Sequence, residues 1–227
     1  MKTVIYTCIT GDYDNLLQPV EVDPEFDYIC FVRKGEALEK QSGVWQIREL
    51  PETFRDDRLA SRWPKILPHK ALKDYDCSLW LDGNVQIASS EVYDILREKV
   101  ASGVRYSGIS HPLRDCVYDE AKKCFKTGRI SIWGYLRALL FLRTAGYPHH
   151  TGLMENNVIF RRHADPAIKD VDDSWWSRFR RGPRRDQLSL MVCLDRFNVM
   201  RDYFLPRGIS SRNSTAFNYF QHNETQN

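Results

Sequence analysis

Trp80-Leu81-Asp82-Gly83-Asn84 closes a short apolar run on a carboxylate, a glycine and an amide. Along an extended backbone residues i and i+2 point to one side, so Asp82 and Asn84 offer two oxygens to a common point. Gly83 between them permits a turn or the close approach of another segment. Hard divalent cations such as Mg²⁺ or Mn²⁺ take such oxygens and commonly share them with phosphates. A strand that delivers a carboxylate at its carboxyl end also marks the edge where open α/β sheets bind ligands. An Asp-Gly-Asn turn after an edge strand accounts for the same five residues without any ligand.

Three further clusters carry polar groups. Arg58, Arg62 and Lys65 share a helical face by i+4 and i+3 spacing, with Lys70 just beyond; such a face suits nucleotide phosphates or simply solvent. His111, Arg114 and Glu120 follow a strand end, where Arg114 and Glu120 also read as a surface ion pair. Glu155-Asn156-Asn157 places two amides ahead of a strand, groups that bind sugar hydroxyls and add nothing to a core. Arg185-Asp186-Gln187 opens a helix, where an acid is also expected as a dipole or capping residue.

The elements that must position these groups alternate. Residues 3–10, 28–32, 44–47, 76–81, 105–110 and 157–160 read as strands. Helices are expected over 55–67, 91–101, 115–126, 131–145, from Asp165-Pro166 onward, and over 185–195. Alternation of this kind predicts one mostly parallel α/β sheet flanked by helices. The expected organisation is a single domain: a nucleotide-binding half about 1–110, an acceptor and catalytic half about 111–205, and an irregular tail over 206–227. Neither Gly-x-Gly-x-x-Gly nor a Gly-Lys-Ser loop occurs, which leaves a metal as the expected diphosphate anchor.

Composition narrows the class. The 227 residues are 42% hydrophobic and 28% charged, ordinary for a globular domain. No apolar run approaches the roughly 20 residues needed to cross a bilayer, and Tyr6, Thr7 and Thr10 interrupt the first one, so a cytoplasmic protein is expected. Six scattered cysteines without a Cys-x-x-Cys pair read as buried free thiols. A net charge of +3 does not imply nucleic acid. Residues 178–185 nevertheless carry five arginines; such a run is ordinarily a solvated loop, and it also suits a phosphate, an anionic glycan or an anionic membrane face.

Taken in order, Lys65-Ile-Leu-Pro68-His69, Leu79 to Asn84, His111-Pro-x-Arg114 to Ala121, Gly152 to Arg161, and Trp175-Trp176 through Ser189 resemble the nucleotide-sugar glycosyltransferases of the GT-A fold. In particular they resemble the plant and bacterial glycosyltransferase-like family that includes the plant mucilage-related and turgor-regulation-defect proteins. The resemblance implies transfer from a nucleoside-diphosphate sugar to a glycan or glycolipid in cell-surface polysaccharide synthesis, at the membrane surface if the acceptor is a lipid. It implies that Thr10, Tyr13 and their turn meet the nucleotide. Asp82, Asn84 and His222 are the implied ligands of Mn²⁺ or Mg²⁺. Asp186 and Glu155 are the implied catalytic carboxylates, with Arg58, Lys65, His111, Arg114, Asn156, Asn157, Arg185 and Gln187 around the substrates. Two departures stand out. Asn84 replaces a second Asp, and Asn156-Asn157-Val158 lacks the family's glycine, so metal-independent chemistry and a non-catalytic binding module on the same fold both stay open.

Overall fold

The computed structural model describes residues 1–11, 14–36 and 39–221. In chain order the elements are β1 (Thr3–Cys8), β2 (Asp27–Val32), β3 (Gln41–Ser42), β4 (Trp45–Glu49), α1 (Asp57–Ile66), α2 (Pro68–Ala71), β5 (Cys77–Leu81) and β6 (Val85–Ile87). There follow α3 (Glu91–Ala101), β7 (Tyr106–Ser110), α4 (Val117–Lys126), α5 (Ile132–Thr144), β8 (Met154–Arg161), α6 (Pro166–Arg181), α7 (Gln187–Arg196), β9 (Asp202–Tyr203) and β10 (Phe217–Tyr219). Local signals set the helix starts: Asp56 accepts from the Leu59 amide at 2.9 Å and Asp165 from the Ala167 amide at 2.8 Å, each satisfying a free first-turn donor.

One sheet runs β3-β4-β2-β1-β5-β8-β7-β9. Its centre, β4-β2-β1-β5, is parallel. The expectation of a mostly parallel sheet holds there, while β8 enters antiparallel to both β5 and β7. Period-two alternation divides the core: Val4, Tyr6, Cys8 and Trp80 pack on the side of α1 and α4–α7, whereas Ile5, Leu79 and Leu81 pack on the side of α3. Strand order reverses between β1 and β5, and the carboxyl ends of those strands form the crevice in which open sheets bind ligands.

Two features differ from the sequence reading. The tail is not wholly irregular, because β10 pairs antiparallel with β6. The amides Asn156 and Asn157 lie inside β8 rather than ahead of it, in a bulge where Gly108 faces Ile159 but Ile109 faces Glu155. Both arise from long-range pairing that local periodicity does not encode.

Candidate active site

At the carboxyl end of β5, Asp82 and Trp80 share a side as i and i+2, and the Trp80 indole donates to Asp82 Oδ1 at 2.7 Å. Gly83 lets the segment after β1 approach closely there: a Cβ would lie 2.7 Å from Ile9 Cδ1 and 3.0 Å from Asp14 Oδ2, and those side-chain ends would have to move. Lys65, from the last turn of α1, is 1% exposed and puts its ammonium 2.8 Å from both Asp82 Oδ1 and Asp186 Oδ2. Beyond this short ion pair, Asp186 Oδ2 has no hydrogen-bond partner among the described residues. Arg62 Nε adds charge 3.7 Å from the same oxygen.

Burial alone would raise the Asp186 carboxyl, but Lys65, Arg62 and Arg185 together hold it well below the usual carboxylate range. For Asp82 the same penalty of burial is overcome by Lys65 and Arg62. Both carboxylates are therefore ionised at neutral pH. Asp186 also caps α7, its Oδ1 accepting from the Gln187 amide at 3.0 Å.

Beneath this centre Arg161 of β8, fully buried, donates to Asp172 Oδ1 at 2.9 Å, to the Tyr6 hydroxyl at 3.0 Å and to the Lys65 carbonyl. It thereby fixes the end of α1 that carries Lys65. Arg161 falls within a recognised motif, yet nothing in its local sequence marks this role.

The β8 bulge lies alongside. The Asp82 amide donates to the Asn157 carbonyl at 2.8 Å, and the Asn157 side chain donates to Ser211 Oγ at 2.7 Å. Glu155 Oε1 accepts from Arg212 at 3.0 Å; Ser211 and Arg212 carried no signal in the sequence, being far from their partners along the chain. Glu155 Oε2, Asn156 Nδ2 and Asn157 Oδ1 are buried without a hydrogen-bond partner among the described residues. Such groups occur elsewhere too, as at the Tyr106 hydroxyl. Here they sit on the strand paired with β5, whose following residue is Asp82, and a ligand hydroxyl would satisfy them.

The remaining expected residues are distributed unevenly. Gln187 donates to the Met154 carbonyl at 3.4 Å and accepts from Arg185 at 3.0 Å, so both join the edge of the site. Thr10 is buried, its hydroxyl 3.4 Å from the Asp57 carbonyl, tying the loop after β1 to α1. Arg58 stays exposed in the first turn of α1. Arg114 and Glu120 are not a surface pair: Arg114 Nε donates at 2.6 Å to a carboxylate that is 1% exposed. His111 Nδ1 accepts from the Leu113 and Arg114 amides, and burial, with Arg114 nearby, pushes its pKa down to about 4. A ring neutral at pH 7 and spent on backbone amides fastens the loop. Tyr13 and His222 lie outside the described residues.

For a divalent ion, Asp82 has one oxygen not engaged by Lys65 or Trp80. The Asn84 amide nitrogen is committed to the Phe220 carbonyl at 2.9 Å, clasping β10, which leaves only its oxygen for an ion. Residues 82–85 form a turn, the Val85 amide donating to the Asp82 carbonyl at 2.9 Å, and not the extended backbone expected from the sequence. One or two carboxylate-type oxygens completed by phosphates is the usual mode for Mg²⁺, and the donor set fits that mode. Among the described residues three His, Cys, Asp or Glu donors converge only at Cys116, Asp119 and His150, near the start of α4. All six cysteines are free and buried, as expected.

Residues 1–225 match the TOD1/MUCI70, glycosyltransferase-like domain family. The chain belongs to that family. This TOD1/MUCI70 domain is 24% identical over 186 residues to the probable hexosyltransferase MUCI70 of Arabidopsis thaliana, covering 77% of this chain and about a third (32%) of that relative. Solved structures similar to it include core-mannan synthase A of Aspergillus fumigatus in its Mn/GDP form, with a TM-score of 0.46, 12% identity and coverage of 86% of this chain and 69% of that one. Mouse xyloside xylosyltransferase 1 gives a TM-score of 0.47 at 8% identity, covering 89% and 84%. No described helix of the domain is long and apolar enough to cross a membrane.

Proposed function

We propose that this domain transfers a sugar, a hexose in the first instance, from a nucleoside-diphosphate sugar to a glycan or glycolipid acceptor of the cell surface. The observation that carries this reading is the Lys65 ammonium held 2.8 Å from carboxylates on two different elements, β5 and the head of α7. On β8, the strand paired with β5, lie buried polar atoms without partners among the described residues. The choice of a hexose follows the plant hexosyltransferase relative, of which the chain spans about a third (32%).

In the transfer, the bond from the anomeric carbon to the diphosphate oxygen breaks with its electron pair on the diphosphate. The acceptor hydroxyl oxygen bonds to the same carbon and passes its proton to an oxygen of the departing diphosphate. Lys65, Arg62 and Arg185 offset the charge gained by the leaving group. A Mg²⁺ or Mn²⁺ ion on Asp82 and the Asn84 oxygen would supply further Lewis-acid offset when bound. Asp186 sets a fixed negative charge against the positive character that develops at the sugar carbon. Glu155, Asn156 and Asn157 receive sugar or acceptor hydroxyls on their unpaired atoms, and the turn holding Thr10 and Tyr13 meets the nucleotide.

A panel of nucleoside-diphosphate hexoses, followed by thermal shift and by release of nucleoside diphosphate, tests the reading. Consumption of a donor that also raises the melting temperature is the expected result. Binding of nucleotide with every donor left intact, across a set of glycan and glycolipid acceptors, would make the domain a binding module. Absence of any nucleotide binding would remove both readings.

A further inference from the structure

Charge is distributed unevenly along this chain. From Ala121 to Met154 there is no Asp or Glu, while Lys122, Lys123, Lys126, Arg129, Arg137 and Arg143 fall within that stretch. From Ser174 to Arg185 there is again no acid, and five arginines. Of the 33 Lys and Arg, eleven lie in these two stretches, whereas all 30 Asp and Glu lie elsewhere. The rest of the chain is therefore net acidic.

The fold brings the two stretches together. Gly134, in the first turn of α5, approaches the segment after α6 so closely that a Cβ would sit 3.2 Å from Pro183 Cβ. Arg178, on the last turn of α6, lies over the Phe141 ring of α5 at 4.6 Å. Between them is a cleft of about 140 Å³ lined by Arg137, Arg178, Arg181, Arg184 and Arg185.

Beside that cleft α5 turns an apolar ridge outward. Trp133 is 71% exposed, Leu140 64% and Leu136 46%, and their i, i+3, i+7 spacing puts them on one face. On a helix of about 100° per residue Arg137 and Arg143 flank that ridge on either side. Isolated exposed apolar residues need no explanation, but a contiguous ridge does. A second copy of the chain would pair this face with an equally basic one, which like-charge repulsion opposes. An anionic bilayer satisfies both halves: Trp and Leu enter the headgroup boundary, while Lys and Arg meet lipid phosphates.

We propose that the exposed face of α5, with the arginine-lined cleft beside it, docks the domain on an anionic lipid bilayer. The surface is continuous with Arg184 and Arg185, which lead directly into Asp186, so docking holds the candidate site next to the bilayer. The proposal stands on the α5 face and does not depend on catalysis.

Cosedimentation of the full chain with phosphatidylcholine vesicles, with and without phosphatidylglycerol, is the test. Binding is expected to require the anionic lipid and to fall steeply with salt. Trp133→Ser with Leu140→Ser, and separately Arg137→Glu with Arg143→Glu, should each weaken it by more than about tenfold while leaving the melting temperature unchanged. Absence of binding to anionic vesicles would overturn the proposal, as would binding that both double variants retain. A dimer in analytical ultracentrifugation that Trp133→Ser with Leu140→Ser dissociates would assign the ridge to a second copy instead. Consumption of a soluble nucleotide sugar by the same variants separates a failure here from a failure of the transferase reading.

Discussion

Two buried charge clusters sit on the α1 side of the sheet, one sealed and the other open. In the sealed one, Arg161 and Asp172 have fully buried side chains and the Tyr6 hydroxyl closes the network. In the open one, Lys65 meets Asp82 and Asp186, and the Asp82 side chain keeps 20% of its surface exposed at the carboxyl edge of β5. Lys65 belongs to both, giving its carbonyl to Arg161 and its ammonium to the carboxylates. The difference divides the labour: the sealed pair sets where Lys65 stands, and the open one is free to meet a ligand. A surface cavity of about 520 Å³ between α5, α6 and α7 is lined by none of the candidate site residues.

Breaking the sealed cluster should give the largest effect. Asp172→Ala leaves the Arg161 guanidinium buried and uncompensated, and an uncompensated buried charge costs about 3–5 kcal/mol. Urea unfolding reads this directly, and a loss near zero would mean that the pair is not the scaffold proposed for Lys65.

In the open cluster the cost should fall on activity. Asp186→Asn keeps an acceptor for the Gln187 amide but removes the charge, and turnover should drop by about 10²–10³, with a smaller fall in melting temperature because buried Lys65 keeps only Asp82 as a charged partner. The reverse pattern, lower stability with turnover intact, would move Asp186 to the scaffold and make Glu155 the next carboxylate to test.

A third contrast is readable in pH. His163, buried against the Ser78 hydroxyl and the Leu72 carbonyl, has its pKa pushed down by burial from 6.5 to about 4. The unfolded chain therefore takes up this proton first as pH falls. The stability at stake is fully present above about pH 6.5 and is lost progressively down to about pH 4, on the order of 3 kcal/mol. His111 acts in the same window and direction. The two carboxylates of the open cluster, held low, lose their contribution only in more acid solution. Denaturant midpoints across this range should flatten in His163→Gln; an unchanged slope would show that His163 is not the titrating group.

The smallest effect concerns Asn84. Asn84→Asp adds a carboxylate beside Asp82 and should tighten Mn²⁺ binding. The same change sets an oxygen against the Phe220 carbonyl that the amide now satisfies, costing about 1 kcal/mol. Calorimetric titration with Mn²⁺ beside a thermal melt separates the two, and unchanged affinity would mean that residue 84 does not touch the ion.

Much of the layout was legible before any coordinates. Strand and helix positions follow from hydrophobic period and capping chemistry, which are local, and Asp82 announces itself because a carboxylate rarely ends an apolar strand without purpose. The family followed from the order of several short motifs. What the sequence alone determined is therefore the inventory: which segments form elements, which residue types end at the sheet edge, and which family they belong to.

The partnerships were decided only by tertiary structure. Arg58, Arg62 and Lys65 share one helical face, yet only Lys65 is fully buried, because two carboxylates from distant segments offset the desolvation of its ammonium while Arg161 holds its carbonyl. Glu155 finds Arg212 and Asn157 finds Ser211 across more than fifty residues. The bulge in β8 and the pairing of β10 with β6 likewise belong to the assembled sheet. Local pattern records what a residue prefers; burying a charge depends on what the rest of the chain brings to it, and that is settled only when distant segments close on one another.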